Sequence, residues 1–569
     1  MLKGHRELSP DVFVILAATR PVLDLTPNLR RLFWHVDTDI CFAHALLFIS
    51  PHLETLHLCL HPVVTIATFK DFLADLPRLC PKLKRLHLDF DVATSALEPV
   101  LSTALAALAH LEELNVSAFG ITSSVLRAVS SHRHLKKISA RPFWGARFHG
   151  NVDDVKSIDV ADLPIDAFPH LRDLDLDGLF SVVQNVLVQP CIPHAWLTRL
   201  FISASEEEPL ETLRTLIVTI AASFPALDFL GITYLLKPSP SPAAGNDPAA
   251  IGLNIGNGNI MPGVGGPANP VPAAANTPAT PPPPRPAPRI SFAILRPLLS
   301  LQLKTLLLMH SHPLLITPAD ILEMGKAWGP PAVDPTSNKP ARPHLRHLRL
   351  SPDPVYAPNE KAETELGLEI LEDFALALPA LEHLEIYLDV SRGEYAMAPI
   401  EPPSPAPSNA ISPAIFSPPN LRTLPRPKTT FKALRILDVG TSPINLNPES
   451  YGAVARYLAL LVPDANMALA FQPGWAMTWA GVSQDADVEF QAPRRACWAR
   501  VGEMHRELCL AAKESEKEKE KERDSEKRIA KQAESMDERI KKLEEEIRML
   551  KLATSFETAE VPTAIPAAT

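Results

Sequence analysis

A short pattern, L-x-x-L-x-[L/I/V], recurs along this chain and limits what it can fold into more than any other feature. Clear copies are Leu53-Leu56-Leu58, Leu83-Leu86-Leu88, Leu111-Leu114-Val116, Leu171-Leu174-Leu176, Leu197-Leu200-Ile202 and Leu227-Leu230-Ile232. After a gap come Leu303-Leu306-Leu308, Leu345-Leu348-Leu350, Leu381-Leu384-Ile386 and Leu434-Leu437-Val439. Two weaker copies are Leu29-Leu32-Trp34 and Leu135-Ile138-Ala140. Up to Leu227, successive first leucines are 24, 30, 28, 24, 36, 26 and 30 residues apart. Repetition on this scale marks stacked supersecondary units, none of which can bury its apolar face alone.

The last two apolar positions of each copy are two residues apart, so they point to one side of a strand. Between copies lie Thr68–Leu76, Ala96–Leu108, Thr122–Val129 and Leu210–Ser223, with apolar residues at the three- and four-residue spacing of a packed helix. A helix that carries the chain back leaves neighbouring strands parallel, with right-handed crossovers. Pro51, Pro81, Pro169, Pro225 and Pro379 precede the strand motifs and are expected to close the preceding helices. The expected fold is α/β: a right-handed leucine-rich-repeat solenoid of parallel strands plus helices. Disordered Pro-rich insertions interrupt it, and a C-terminal helix with a short coiled coil follows it.

Composition divides the chain. Residues 1–237 hold a first block of repeats and 291–470 a second, which contains a Pro-rich insertion at 398–427. Between them, 238–290 is an insertion rich in Pro, Ala and Gly. Fifteen of residues 238–288 are proline and only Asp247 and Arg285 are charged, which leaves too little apolar surface to offset the entropy of ordering. Smaller insertions are expected at Gly329–Pro343 and Pro352–Asn359. Residues 471–512 form a capping segment and helix, with Pro493 expected at its first position. Residues 513–528 are almost wholly charged, either a solvated single helix or a disordered stretch. Then Ile529, Ala533, Met536, Ile540, Leu543, Ile547 and Leu550 alternate spacings of four and three, the seam of a short left-handed coiled coil within 513–552. That seam can form a homodimer, dock on another partner or stay unpaired. Residues 553–569 are expected to be a disordered tail.

A formal net charge of -10 argues against a general nucleic-acid binder, which needs a basic face. The six cysteines have no C-x-x-C spacing and read as small buried hydrophobes rather than a disulfide framework. The N-terminus carries no secretory signal pattern and no apolar run is long enough to span a membrane. The expected location is cytoplasmic and/or nuclear. No H-E-x-x-H, G-x-S-x-G or G-x-x-x-x-G-K-[ST] motif occurs, so no catalytic site and no cofactor is expected. The glycines at 256, 258, 263, 265 and 266 lie inside the proline-rich insertion, with neither strand nor helix beside them. His52, His110, His134, His170 and His344 each stand just before the first leucine of a repeat. With no cysteine or carboxylate at the same position they read as turn residues, and no metal site is expected.

If the strands line the concave side of the array, the residues alternating with the apolar ones face a partner. Candidate protein-binding residues are Phe33, His35, His57, His87, Asp89, Asn115, Arg141, Asp175, Asp177, Phe201, Met309, Arg349, Glu385 and Tyr387. The mixture of aromatics, charges and amides suits recognition of a protein substrate or partner.

The segments Leu53-Glu-Thr-Leu-His-Leu58, Leu83-Lys-Arg-Leu-His-Leu88, Leu171-Arg-Asp-Leu-Asp-Leu176 and Leu25-Thr-Pro-Asn-Leu-Arg-Arg-Leu-Phe-Trp34 resemble the repeat region of fungal-type F-box/leucine-rich-repeat proteins. The resemblance covers about residues 9–470. It implies a substrate-recognition subunit of a ubiquitin ligase, or a remnant of one, whose repeats hold the substrate. No F-box is found here, so a cullin-ligase adaptor is an expected partner only if one lies upstream. The alternative is a repeat scaffold that self-associates through 529–550 and has no link to ubiquitin.

Overall fold

The computed structural model describes residues 12, 15, 28–36, 38–60, 65–90, 94–117, 120–140, 158–204, 208–234, 289–310, 312–330, 344–351, 366–391, 394–397, 421–471 and 484–557. Among these, thirteen strands join in one all-parallel sheet whose spatial order follows chain order. In sequence they are Arg31–Val36, Thr55–Leu60, Arg85–Phe90, Glu113–Val116, Lys137–Ser139, Asp173–Asp177, Arg199–Ala204, Phe229–Tyr234, Thr305–Met309, His347–Leu350, His383–Ile386, Ile436–Asp438 and Ala468–Ala470. The first twelve fall on the twelve copies of the motif. Helices alternate with many of them, including Ile66–Leu79, Thr94–Ala107, Ser123–Val129 and Leu210–Ser223.

The pairing register places like positions side by side. Leu32 pairs with Leu56, Leu56 with Leu86, Leu86 with Leu114 and Leu114 with Ile138. The row continues through Leu174, Leu200, Leu230, Leu306, Leu348, Leu384 and Leu437 to Leu469. Leu56, Leu86, Leu114 and Leu174 are at most 1% exposed and belong to one continuous core. Buried faces of the helices complete that core, as with Phe69, Phe72, Leu73 and Leu76 on the helix Ile66–Leu79.

The turn before each strand explains the first leucine and the proline together. The amide of Leu53 donates to the Ser50 carbonyl, closing a four-residue turn with Pro51 second. Leu83, Leu171, Leu227 and Leu381 repeat this with Pro81, Pro169, Pro225 and Pro379. Proline favours that second position because its fixed φ is already that of the turn. The prolines therefore build the turn itself rather than only ending a helix. His52, His110, His134 and His170 occupy the third position and are exposed; His344 is half-buried.

Beyond the turn, one carbonyl per repeat accepts two amides from the next. Glu54 and Thr55 both donate to the Arg30 carbonyl, Lys84 and Arg85 to Glu54, and Glu112 and Glu113 to Lys84. The series runs through Lys136, Arg172, Thr198, Asp228, Lys304, Arg346 and Glu382. Buried side chains also tie neighbouring turns to each other. Trp328 Nε1 donates to the Leu301 carbonyl at 3.0 Å, and Cys80 Sγ to Ser50 at 3.6 Å. His132 Nε2 lies 3.0 Å from the Leu105 carbonyl. Burial holds the Cys80 thiol up at about 12 and pushes His132 down.

Several boundaries differ from the sequence expectation. The strand Ala468–Ala470 follows no leucine triplet, because Asn466 stands where the first leucine would. Residues 421–424, expected within the Pro-rich insertion, form a strand that pairs in parallel with Glu394–Met397. Residues 289 and 290 belong to the ordered block, where Ile290–Ser291 pairs with Leu314–Leu315. The expected insertions at 238–288, 331–343, 352–359 and 398–420 lie outside the described residues.

The last helix, Gln484–Glu557, spans 74 residues. It starts nine residues before Pro493, which sits inside it, and it runs through the charged stretch 513–528 and past residue 552. Its early turns cover the end of the array. Trp498 is buried with its Nε1 on the Ser442 carbonyl at 3.0 Å, and His505 Nε2 is 2.9 Å from the Val462 carbonyl. Gly502 packs against Leu469, at a spacing where even a Cβ would make ordinary van der Waals contact. An edge strand left open is a template for unwanted pairing, and this helix shields it.

Leu174→Ala is expected to lower unfolding free energy by about 2–5 kcal/mol and Trp498→Ala by about 3–5 kcal/mol. Leu376→Ala, at a site 61% exposed, is expected to change it by less than about 0.5 kcal/mol. Urea denaturation of the purified full chain reads all three.

Candidate protein-recognition face of the sheet

The side of the sheet opposite the leucine rows carries the residues that differ from strand to strand. The first such row runs Phe33, His57, His87, Asn115, Ser139, Asp175, Phe201, Gly231, Leu307, Arg349, Glu385, Asp438. The next runs His35, Cys59, Asp89, Ser117 and, further along, Asp177, Ser203, Thr233 and Met309. The parallel register creates both rows, because side chains two apart on one strand meet their equivalents about 4.8 Å away on the next.

Contacts along the rows form distinct patches. At the first edge, the Phe33 ring meets His57 edge-on at 5.4 Å, and His57 lies 5.4 Å from His87. Asn115 Nδ2 approaches His87 Nδ1 at 3.4 Å. Beside them Cys59 Sγ and Ser117 Oγ donate to the Asp89 carboxylate, at 3.7 and 3.4 Å. In the middle, Ser139 Oγ donates to Asp175 at 2.7 Å. Phe201 lies over Gly231, where a Cβ would stand 2.1 Å from the ring. Tyr234, on the leucine side with Leu230 and Ile232, stacks on His310 at 5.1 Å, and His310 meets His312 at 4.8 Å, so this cluster belongs to the core side and the face continues past it towards the far end. Arg349 Nε pairs with Glu385 at 2.6 Å, and His383 Nε2 is 3.0 Å from the same carboxylate.

Along the strand starts runs a row of charge. Arg85 pairs with Glu113 at 3.1 Å, and Asp173 lies between Lys137 and Arg199 at 3.7 and 3.2 Å. The Arg199 guanidinium also sits 3.6 Å above the Phe229 ring. One position earlier, Glu54 bridges Arg30 and Lys84 at 3.2 and 2.9 Å, and Lys84 first, then Arg30, holds its carboxyl below the usual range. Such exposed pairs contribute little each, but their alternating signs favour one register.

The fourteen candidate residues differ in access. Phe33 and His35 are exposed on the edge strand; His87, Asn115, Met309 and Arg349 are half-buried. His57, Asp89, Asp175, Asp177, Phe201, Glu385 and Tyr387 are buried by their neighbours in the rows. Arg141 lies outside the described residues. The sequence reading passed over the buried cluster of Tyr234, His310 and His312, which lies past the motif of the eighth and ninth strands and on the leucine side of the sheet. It also passed over His383. No spacing signal marks these positions.

Burial dominates the titration of the histidines. His57 is pushed down to about 4 by burial and then by His87. His87 reaches about 4 through burial, Lys137 and Arg85. His310 reaches about 3 through burial and His312. Among the described residues, no group of three His, Cys, Asp or Glu is placed to hold a metal ion. All six cysteines are free thiols. No described helix is long and apolar enough to cross a membrane. No family model matches this chain, and no curated protein matches it.

The depressed histidines make stability pH-dependent in one direction. Between about pH 6.5 and 4 the unfolded chain binds more protons than the folded one, so stability is full above about 6.5 and falls as pH drops through 4. The urea midpoint is expected to decline over that window, and less steeply in the His57→Asn/His87→Asn variant. Separately, Gly231→Ala should destabilise by about 1–3 kcal/mol by displacing the Phe201 ring, and by less than about 1 kcal/mol in a Phe201→Ala background.

Proposed function

We propose that this chain is a leucine-rich-repeat solenoid that binds another protein through the open face of its sheet and does not catalyse a reaction. The carrying observation is the in-register row Phe33–His57–His87–Asn115 on one side of a thirteen-strand parallel sheet whose other side is uniformly apolar. The apolar side repeats because it serves packing. The opposite side varies from strand to strand, as a surface does when it matches one particular partner. Aromatic side chains at such a surface carry much of the binding energy. Phe33, 62% exposed, is a ring held by a neighbouring histidine yet open to a partner.

The resemblance of the Leu53–Leu58, Leu83–Leu88 and Leu171–Leu176 segments to F-box/leucine-rich-repeat proteins supports the finer reading. In it the chain selects a substrate for a ubiquitin ligase, in the cytoplasm or nucleus, or descends from a chain that did. The partner is a protein rather than nucleic acid, since the net charge is -10 and the face carries paired charges of both signs.

The test is affinity purification of the full chain from a cell extract, followed by binding measurements on the recovered partner. Phe33→Ala/His35→Ala and Met309→Ala should each weaken binding about tenfold or more, while Arg214→Ser, on the helix Leu210–Ser223, leaves it unchanged. Co-recovery of a cullin adaptor supports the ligase reading. Equal binding by all the face variants overturns the assignment of this face.

A further inference from the structure

The C-terminal helix outruns the body it caps. Lys513 still reaches Asp464 at 3.9 Å, but the helix side chains are exposed from there through Leu552. Sixteen charged or small polar residues, 513–528, lead to a stripe of apolar side chains that none of the described residues covers. Ile529, Met536, Ile540, Leu543, Ile547 and Leu550 are 48–66% exposed, and Ala533 is exposed with them. A stripe this apolar on a solvated helix calls for an occupant.

The residue types in the seam point to one. Written as a heptad, Ala533, Ile540 and Ile547 take the a positions, and Ile529, Met536, Leu543 and Leu550 the d positions. β-branched residues at a with leucine at d favour two parallel strands over three or four. The flanking charges agree. The g residues are Gln532, Arg539 and Glu546, and the e residues are Asp537, Glu544 and Lys551. In a parallel pair each g residue faces the e residue five positions later on the other helix. Arg539 then meets the second copy's Glu544, and Glu546 meets the second copy's Lys551. Both charged pairings are attractive and each occurs twice. An antiparallel pair centred on Ile540 and Leu543 sets Asp537 against Glu544 twice along one flank, which is repulsive and offsets the two attractive Arg539–Glu546 contacts along the other. Of the other apolar residues, Met549 and Leu552 fall at c and f, outside the seam, and Ala530 at an e position on its flank.

We infer that residues 529–550 form a parallel, in-register, two-stranded coiled coil with a second copy of this chain. The seam is about 33 Å long, and it begins about 30 Å beyond Cys509, the last buried residue of the capping turns. The two arrays therefore leave the same end of the coil, each carried on its own helix. This pairing is independent of what the sheet face binds.

Sedimentation equilibrium of the full chain tests it. The expected mass at micromolar concentration is twice the 62.2 kDa of one chain. Ile540→Lys/Leu543→Lys should give monomers with unchanged helix content, because both residues are exposed. Glu544→Lys/Lys551→Glu places like charges at both pairings and should raise the dissociation constant about tenfold or more. Adding Arg539→Glu/Glu546→Lys should restore it. Ala533→Cys should crosslink to its own equivalent under dioxygen, above the background of the native thiols, since a-position residues of a parallel pair face each other at disulfide range. A monomeric wild-type chain, a trimer, a dimer that survives the Ile540→Lys/Leu543→Lys change, charge variants without effect, or no Ala533→Cys crosslink would each overturn the inference.

Discussion

One carbonyl per repeat accepting two amides from the next repeat is the interaction on which the rest depends. It fixes where each strand begins relative to its neighbour, from Arg30 through Glu54, Lys84 and Glu112 to Glu382. A shift of one residue would turn every leucine of a strand to the polar side and every polar side chain into the core. With the start held, the leucine rows close over the helices. The residues between them fall into the rows that bring Phe33 to His57 and Arg349 to Glu385. Core and face are thus two consequences of the same register.

The sheet was legible in the sequence because its apolar positions are spaced by strand geometry, and a spacing of two is visible without knowing what packs on it. Even the weak copies, where Trp34 and Ala140 replace the final aliphatic residue, mark real strands. The strand Ala468–Ala470 was not legible. Asn466 replaces the leucine that closes the turn, and burial there comes from the helix docked against Leu469, a contact distant in sequence. The long helix was misjudged at its start for a related reason. Pro493 looks like a first-turn residue, yet the helix begins before it. The polar contacts of the face were the least visible part. That His57 becomes buried, or that Phe201 needs a glycine beside it, follows only from which strands become neighbours.

The face shows how a protein can hold polar residues half-buried without losing the sheet. Neighbours in a row satisfy one another, as Ser139 does for Asp175 and Asn115 for His87. The histidines meet this demand by staying neutral. The same crowding leaves access concentrated at the first edge, where, among the described residues, Phe33 and His35 have a strand on one side.

The joint between the eighth and ninth strands carries a consequence for how such a chain can grow. Lys304 and Thr305 donate to the Asp228 carbonyl although 76 residues separate Lys304 from Asp228. The joint recognises proximity in space and is blind to contour length. Closing a flexible excursion becomes harder only as the logarithm of its length, about 0.6 kcal/mol per doubling. Such an array can therefore accept foreign sequence between adjacent turns, at small thermodynamic penalty, wherever the excursion returns within one strand spacing of where it left.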